Sequence, residues 1–207
     1  MPSKSLQNLP GLAALAIVLT IANAGQAQEW PQPPPEATVS ADQLARLEAG
    51  EILVSNTQID RAGGAAVAHA IFFTEASSLW SVLGDCEANY RFVRGLKECE
   101  ILREDATSAL TRQSLKPYTL LPGFDYVFET RREPYDWILI RLREGDLKVL
   151  EGSWRFDPAP GGQGILVTHA IRIQPSMMVP RWLARRTVER DLNRMIACLR
   201  WETRAWP

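Results

Sequence analysis

The sequence predicts an α+β fold in which a curved antiparallel sheet wraps a long C-terminal helix, with two short helices after the first core strand. Three observations predict it. Between residues 96 and 174 six extended segments follow one another, separated by turn signals such as Arg143-Glu-Gly-Asp146 and Asp157-Pro-Ala-Pro-Gly-Gly162, the layout of an antiparallel meander. Upstream, residues 76–83 and 85–93 read as two short helices closed by Gly84 and Gly95. From residue 181 to 205 the spacing becomes helical, with Val188, Leu192, Met195, Ile196 and Leu199 on one stripe that needs a sheet to cover it. At 207 residues and 46% hydrophobic content, the chain has enough apolar material for one core and no composition break that asks for two.

Taken in order, the elements begin after an N-terminal segment that is not expected to belong to the domain. Lys4, the short apolar run 12–22 and the small residues Ala22-Asn-Ala24 and Gly25-Gln-Ala27 have the three-part layout of a secretory signal peptide. Residues 1–27 are therefore expected to direct export to a periplasm or beyond, with cleavage after Ala24 or Ala27; retention as a membrane anchor is the alternative. The stretch EWPQPPPEAT is a proline-rich leader that cannot hold a helix or an interior strand, and reads as a tether. Residues 28–50 thus comprise this leader and a short helix capped by Ser40 and ended by Gly50, ahead of a domain over 51–207.

Residues 51–61 and 64–73 look extended, parted by Ala62-Gly-Gly64. Thr74 reads as the cap of the first short helix. The meander follows over 96–103, 108–115, 124–130, 136–143, 148–156 and 164–174, and Pro175 stops the last strand. Pro180 then sits where the first turn of a helix tolerates proline.

Three cysteines in an exported chain leave at least one unpaired. Cys86 and Cys99 could bridge, but their spacing does not require it, and buried free thiols are the simpler reading of all three. With two histidines and no CxxC or HxxxH spacing, no metal site is expected, and no motif asks for a cofactor. The last element carries seven arginines against three acids, whereas residues 28–180 carry an excess of acids. Export, a pI near 6.2 and the absence of a reading motif exclude nucleic acid as a partner.

The segments Ala76-Ser-Ser-Leu-Trp80-Ser-Val-Leu83-Gly-Asp85, Tyr90-Arg-Phe92 and Gly95-Leu-Lys-Glu-Cys-Glu-Ile-Leu102 resemble the opening of START-like SRPBCC domains. Gly152-Ser-Trp154-Arg-Phe156, Val167-Thr-His-Ala170 and Val179-Pro180-Arg-Trp-Leu183 match the later part of the same pattern. Within the superfamily the chain looks most like the polyketide cyclase/dehydrase and coenzyme Q-binding branch. The resemblance covers roughly residues 64–206. It implies a helix-grip fold and a cavity between sheet and terminal helix, in which members bind lipids, sterols, quinones or polyketides and a minority perform catalysis; the fold does not choose among these.

On that fold the alternation names the inward rows. They are Val67, His69, Ile71 and Phe73; Cys99 and Ile101; Tyr126 and Phe128; Ile138, Ile140 and Leu142; Leu150, Trp154 and Phe156; and Ile165, Val167, His169, Ile171 and Ile173. Such a set makes an apolar chamber with aromatic walls, suited to a hydrophobic small molecule, unless the side chains fill it completely. The family topology makes the first and last core strands neighbours, so His69 and His169 are expected to approach each other and mark its polar end. As catalytic candidates the two histidines lack a carboxylate to orient them, because Asp125, Glu129 and Asp136 alternate outward.

The resemblance places an entrance at Met177 and Met178, with Leu120 and Leu121 in a second apolar loop. Arg186, Arg190 and Arg194 fall at spacings of four and could touch an anionic membrane; the plainer alternative is a solvated face paired with Glu189 and Asp191. A monomeric, exported binder or carrier of a hydrophobic ligand is the leading reading. A cyclase-type enzyme using the same chamber and a cavity-free domain docking on an envelope protein are the alternatives.

Overall fold

The computed structural model describes residues 30–58, 63–116, 123–176 and 181–204. In chain order the elements are α1 Ala41–Glu48, β1 Leu53–Gln58, β2 Gly64–Phe72, α2 Ala76–Gly84, α3 Cys86–Phe92, β3 Leu96–Glu104, β4 Ser108–Leu115, β5 Phe124–Glu133, β6 Trp137–Gly145, β7 Leu147–Pro158, β8 Ile165–Pro175 and α4 Arg181–Arg204. Among the described residues, eight strands form one antiparallel sheet in the order β1-β2-β8-β7-β6-β5-β4-β3. The chain thus returns β8 against β2 and leaves β1 and β3 as edges. This is the helix-grip arrangement, with α2, α3 and α4 on one face of the sheet. No helix among the described residues is long and apolar enough to cross a membrane.

Local chemistry accounts for the ends of the helices. Ser40 and Gln43 form a reciprocal capping box at α1, at 3.2 and 2.9 Å. The helix is released by Gly50 at φ +89°, a left-handed conformation that costs glycine least, and the Gly50 and Glu51 amides bond back to Leu47 and Arg46. Asp85 caps α3 by accepting from the Glu87 amide at 2.8 Å. At α2 the structure corrects the expected cap: Glu75, not Thr74, holds the capping position, and its side chain makes no capping bond.

The largest difference from the sequence expectation is the phase of β2. Ala68 lies opposite His169, whereas His69 lies opposite Thr168 and Leu53. The row facing α4 is therefore Ala66, Ala68, Ala70 and Phe72, all buried in the main core with Ile196 and Leu199. Small side chains let the helix lie close to this strand, while the bulkier Val67, His69 and Ile71 point to the opposite, outer face. That face is also covered. Ile71 and Leu166 pack there with Leu47 of α1 and with Ala37, Val39, Leu44 and Leu53. A strand buried on both faces carries apolar residues in both rows, so bulk alone misleads. Ile71→Ala is expected to cost about 2–5 kcal/mol yet leave affinity for a chamber ligand unchanged; urea unfolding and a binding titration on the same variant check this.

The proline-rich leader is not a loose tether over its described part. The guanidinium groups of Arg131 and Arg141 both lie over the Trp30 ring, at 4.3 and 4.2 Å from its centroid. Further along, the Ala37 amide donates to Asp157 at 3.2 Å. Residues 30–39 therefore strap the outer face. Removing one aromatic ring that serves two cations, Trp30→Ala, is expected to cost about 1–2 kcal/mol and to expose the leader to protease, read by unfolding and limited proteolysis.

Cys86 and Cys99 are joined in a disulfide, which corrects the reading of three free thiols; Cys198 remains free. The helix α3 folds back on β3 and brings the two Cα atoms to 5.5 Å, within bridging range. At the other end of the core, Arg200 donates to the carbonyls of Ile71 and Gly50 at 3.0 and 2.6 Å, fastening α4 to β2 and to the end of α1. The largely buried Glu202 pairs with Arg91 at 2.7 Å and ties α4 to α3.

Candidate ligand chamber

A chamber of about 300 Å³ opens between the sheet and α4. Its floor is the inward row of the meander: Tyr126, Phe128 and Thr130 from β5, Ile138 and Ile140 from β6, Leu150 and Trp154 from β7, and His169, Ile171 and Ile173 from β8. Its roof is Val188, Leu192 and Met195 of α4 with Leu83, Phe92 and Val93 of the α2–α3 region. Where it meets solvent, Arg94 and the part-exposed Asp191 pair at 3.1 Å across its rim.

Of the residues expected to line the chamber, Tyr126, Phe128, Ile138, Ile140, Trp154, His169 and Ile171 do so. Phe156 and Val167 face the same side but are buried in the closed core with Phe72 and Ile165. Val67, His69 and Ile71 are corrected to the outer face. Val67 lines a separate hollow of about 390 Å³ there, between the leader residues Pro31 and Pro34 and the small side chains of Ala65 and Ala170. The two histidines therefore do not meet: they stand on opposite faces of neighbouring strands, and His69 Nδ1 contacts the Thr168 hydroxyl at 3.0 Å. Leu120, Leu121, Met177 and Met178 lie outside the described residues, as does the side chain of Arg186. Arg190 and Arg194 are exposed on α4, with Arg190 3.5 Å from Asp191.

His169 is held from two sides. Its ring stacks on Trp154 with centroids 3.8 Å apart, and Nδ1 lies 2.9 Å from the Ser153 carbonyl oxygen. A carbonyl only accepts, so Nδ1 carries the proton and Nε2 is left as the acceptor. Burial pushes the imidazole down to about 4, against a smaller opposing effect of the Ser153 bond. The ring is therefore neutral near pH 7. His69, half-buried, is also lowered by burial.

Sequence reasoning missed Asn89, Gln113, Thr130, Arg94 and Asp191. Gln113 accepts a hydrogen bond from the Tyr126 hydroxyl at 2.9 Å, and burial raises the Tyr126 phenol. Gln113 was not discernible because both rows of β4, Ala109-Thr111-Gln113 and Ser108-Leu110-Arg112, mix polar and apolar residues. Asn89 and Asp191 sit on helices, where strand alternation says nothing. The acids Glu129 and Asp157 are turned outward to Arg141 and Arg155, at 3.2 and 2.9 Å. Among the described residues, no three His, Cys, Asp or Glu side chains are grouped to hold a metal ion.

Comparisons with known proteins agree with this architecture. Residues 74–200 match the model of the family described as "Polyketide cyclase / dehydrase and lipid transport". Similar solved structures include a STAR-related lipid transfer protein from Xanthomonas axonopodis, 18% identical with a TM-score of 0.55 over 73% of this chain and 98% of that one. The Zhui aromatase/cyclase from Streptomyces sp. R1128 is 14% identical with a TM-score of 0.54, over 74% and 94%. Human STARD10 is 12% identical with a TM-score of 0.59, over 87% and 84%. At these identities the structural likeness concerns the fold. No curated protein matches the sequence.

Proposed function

The chain belongs to the polyketide cyclase/dehydrase and lipid-transport family, and from that premise we propose that it is an exported binder or carrier of a hydrophobic small molecule. The observation that carries this reading is the chamber itself, walled by aromatic and aliphatic side chains between sheet and helix. Burying a ligand's apolar surface there is worth about 25 cal/mol per Å² before the costs of association. At about 300 Å³ the chamber stands at the lower end of small-molecule sites, which run to about 1,000 Å³. A compact ring system suits it better than a two-chain lipid.

Export rests on the layout of residues 1–27 and is supported by the Cys86–Cys99 disulfide, a bond that persists in oxidising compartments. Purification from the native envelope, organic extraction and mass spectrometry test both parts. A reproducible co-purifying hydrophobe in the periplasmic or secreted fraction is expected; a cytosolic protein or an empty extract overturns the reading. Exposed Arg190 and Arg194 support loading at an anionic membrane surface. Co-sedimentation with phosphatidylglycerol vesicles should then fall with added salt and in the Arg190→Ala/Arg194→Ala variant.

A cyclase-type reaction in the same chamber is the second reading, favoured by one observation, the unprotonated Nε2 of His169. Against it, a base pushed down to about 4 is weak at pH 7, and no carboxylate among the described residues bonds to its ring. Turnover of a polyketide-like substrate that is lost in His169→Phe while the substrate still binds would establish it.

A further inference from the structure

The polar side chains of the chamber fall into two sets. Most answer one another: the Tyr126 hydroxyl donates to Gln113 Oε1 at 2.9 Å, and the amide groups of Gln113 and Asn89 approach Cys99 Sγ at 3.7 and 3.9 Å. The Thr130 hydroxyl leans on the Ala109 carbonyl at 3.4 Å, and Arg94 pairs with Asp191. His169 is different. Its one proton is committed to the Ser153 carbonyl, its plane is set by the Trp154 stack, and only 2% of the residue is exposed. Among the described residues, the bond from Nδ1 is the one hydrogen bond His169 makes, and nothing donates to Nε2. A lone pair of fixed direction therefore stands in the chamber wall, beside Ile138, Trp154 and Ile171.

Nε2 is not sealed among the buried unpartnered atoms, so water in the chamber can meet it; a bound molecule that displaces that water must meet Nε2 itself or leave it unmet at a cost in free energy. The partner must be a donor. A ketone, an ether or a carboxylate would bring its own lone pairs against Nε2. We propose that the chamber's ligand is a compact hydrophobe bearing a phenolic or alcoholic hydroxyl, which donates to His169 Nε2 and so fixes the ligand's orientation. This rests on the reading of the chamber as a binding site and adds the class of ligand. His169 then acts as the specificity-determining residue, rejecting analogues that lack the hydroxyl.

The test is calorimetric titration of the full chain with 2-naphthol and with 2-methylnaphthalene, which matches it in size and is the more apolar. Hydrophobic burial alone favours the methyl compound. The proposal expects 2-naphthol to bind at least tenfold more tightly, and expects His169→Phe, which keeps a ring on Trp154, to abolish or reverse that preference. A second readout needs no variant. In ¹⁵N NMR of the wild-type imidazole, the unprotonated nitrogen should shift on adding 2-naphthol and not on adding 2-methylnaphthalene. Equal affinity for the two compounds, an unchanged preference in His169→Phe or a still Nε2 resonance overturns the hydroxyl assignment and leaves the chamber standing. Failure of both compounds to bind overturns the binding reading with it.

Discussion

Acidification from pH 7 to pH 4 is expected to remove about 3 kcal/mol of stability through His169 alone. The imidazole is pushed down to about 4 by burial, from an ordinary value of 6.5. Between those values the unfolded chain binds a proton that the folded chain refuses, so stability rises with pH across the window and falls as the solution is acidified. Above about 6.5 both states are neutral and the contribution is complete; below about 4 both are protonated and it is gone. At its steepest the slope is about 1.4 kcal/mol per pH unit. Urea unfolding of wild type and His169→Phe at a series of pH values isolates the residue, because carboxylates titrate in both. The variant's curve should be flatter between pH 6.5 and 4; parallel curves would mean that His169 is solvated.

Breaking the Cys86–Cys99 bridge is the second large effect. The two residues are 13 apart, and closing a loop of that order removes about 3 kcal/mol of chain entropy from the unfolded state. The double variant Cys86→Ser/Cys99→Ser should lose about 2–3 kcal/mol, and a reducing agent should lower the melting temperature of wild type but not of that variant. The consequence reaches the chamber, because Gln113 and Asn89 rest on Cys99 Sγ and Gln113 in turn receives the Tyr126 hydroxyl. Ligand affinity should therefore fall together with stability. A melting temperature indifferent to reductant would show that the bridge is absent.

Much of the site is legible in the sequence, and the reason differs by strand. On β5, β6, β7 and β8 one row is clearly more apolar than the other, because one face meets the chamber while Arg141, Arg155 and Arg172 occupy the other with their acid partners. Period-two alternation then identifies the wall directly, and Tyr126, Ile138, Trp154 and His169 follow from it. On β4 the signal is lost, since the inward Gln113 bonds to another inward side chain and needs no solvent.

The sequence by itself determined the order of elements, the meander, the gripping helix and the apolar character of the chamber, because hydrophobic periodicity and turn chemistry are local properties of the chain. Only the tertiary structure decided the phase of β2, the disulfide and the separation of the two histidines. Apolar residues line both rows of β2, and which row faces α4 depends on what else covers the sheet: alanines under the helix, Ile71 under α1 and the leader. That choice, made by packing at a distance, sends His69 to the outer face and leaves His169 alone in the chamber, stacked on Trp154.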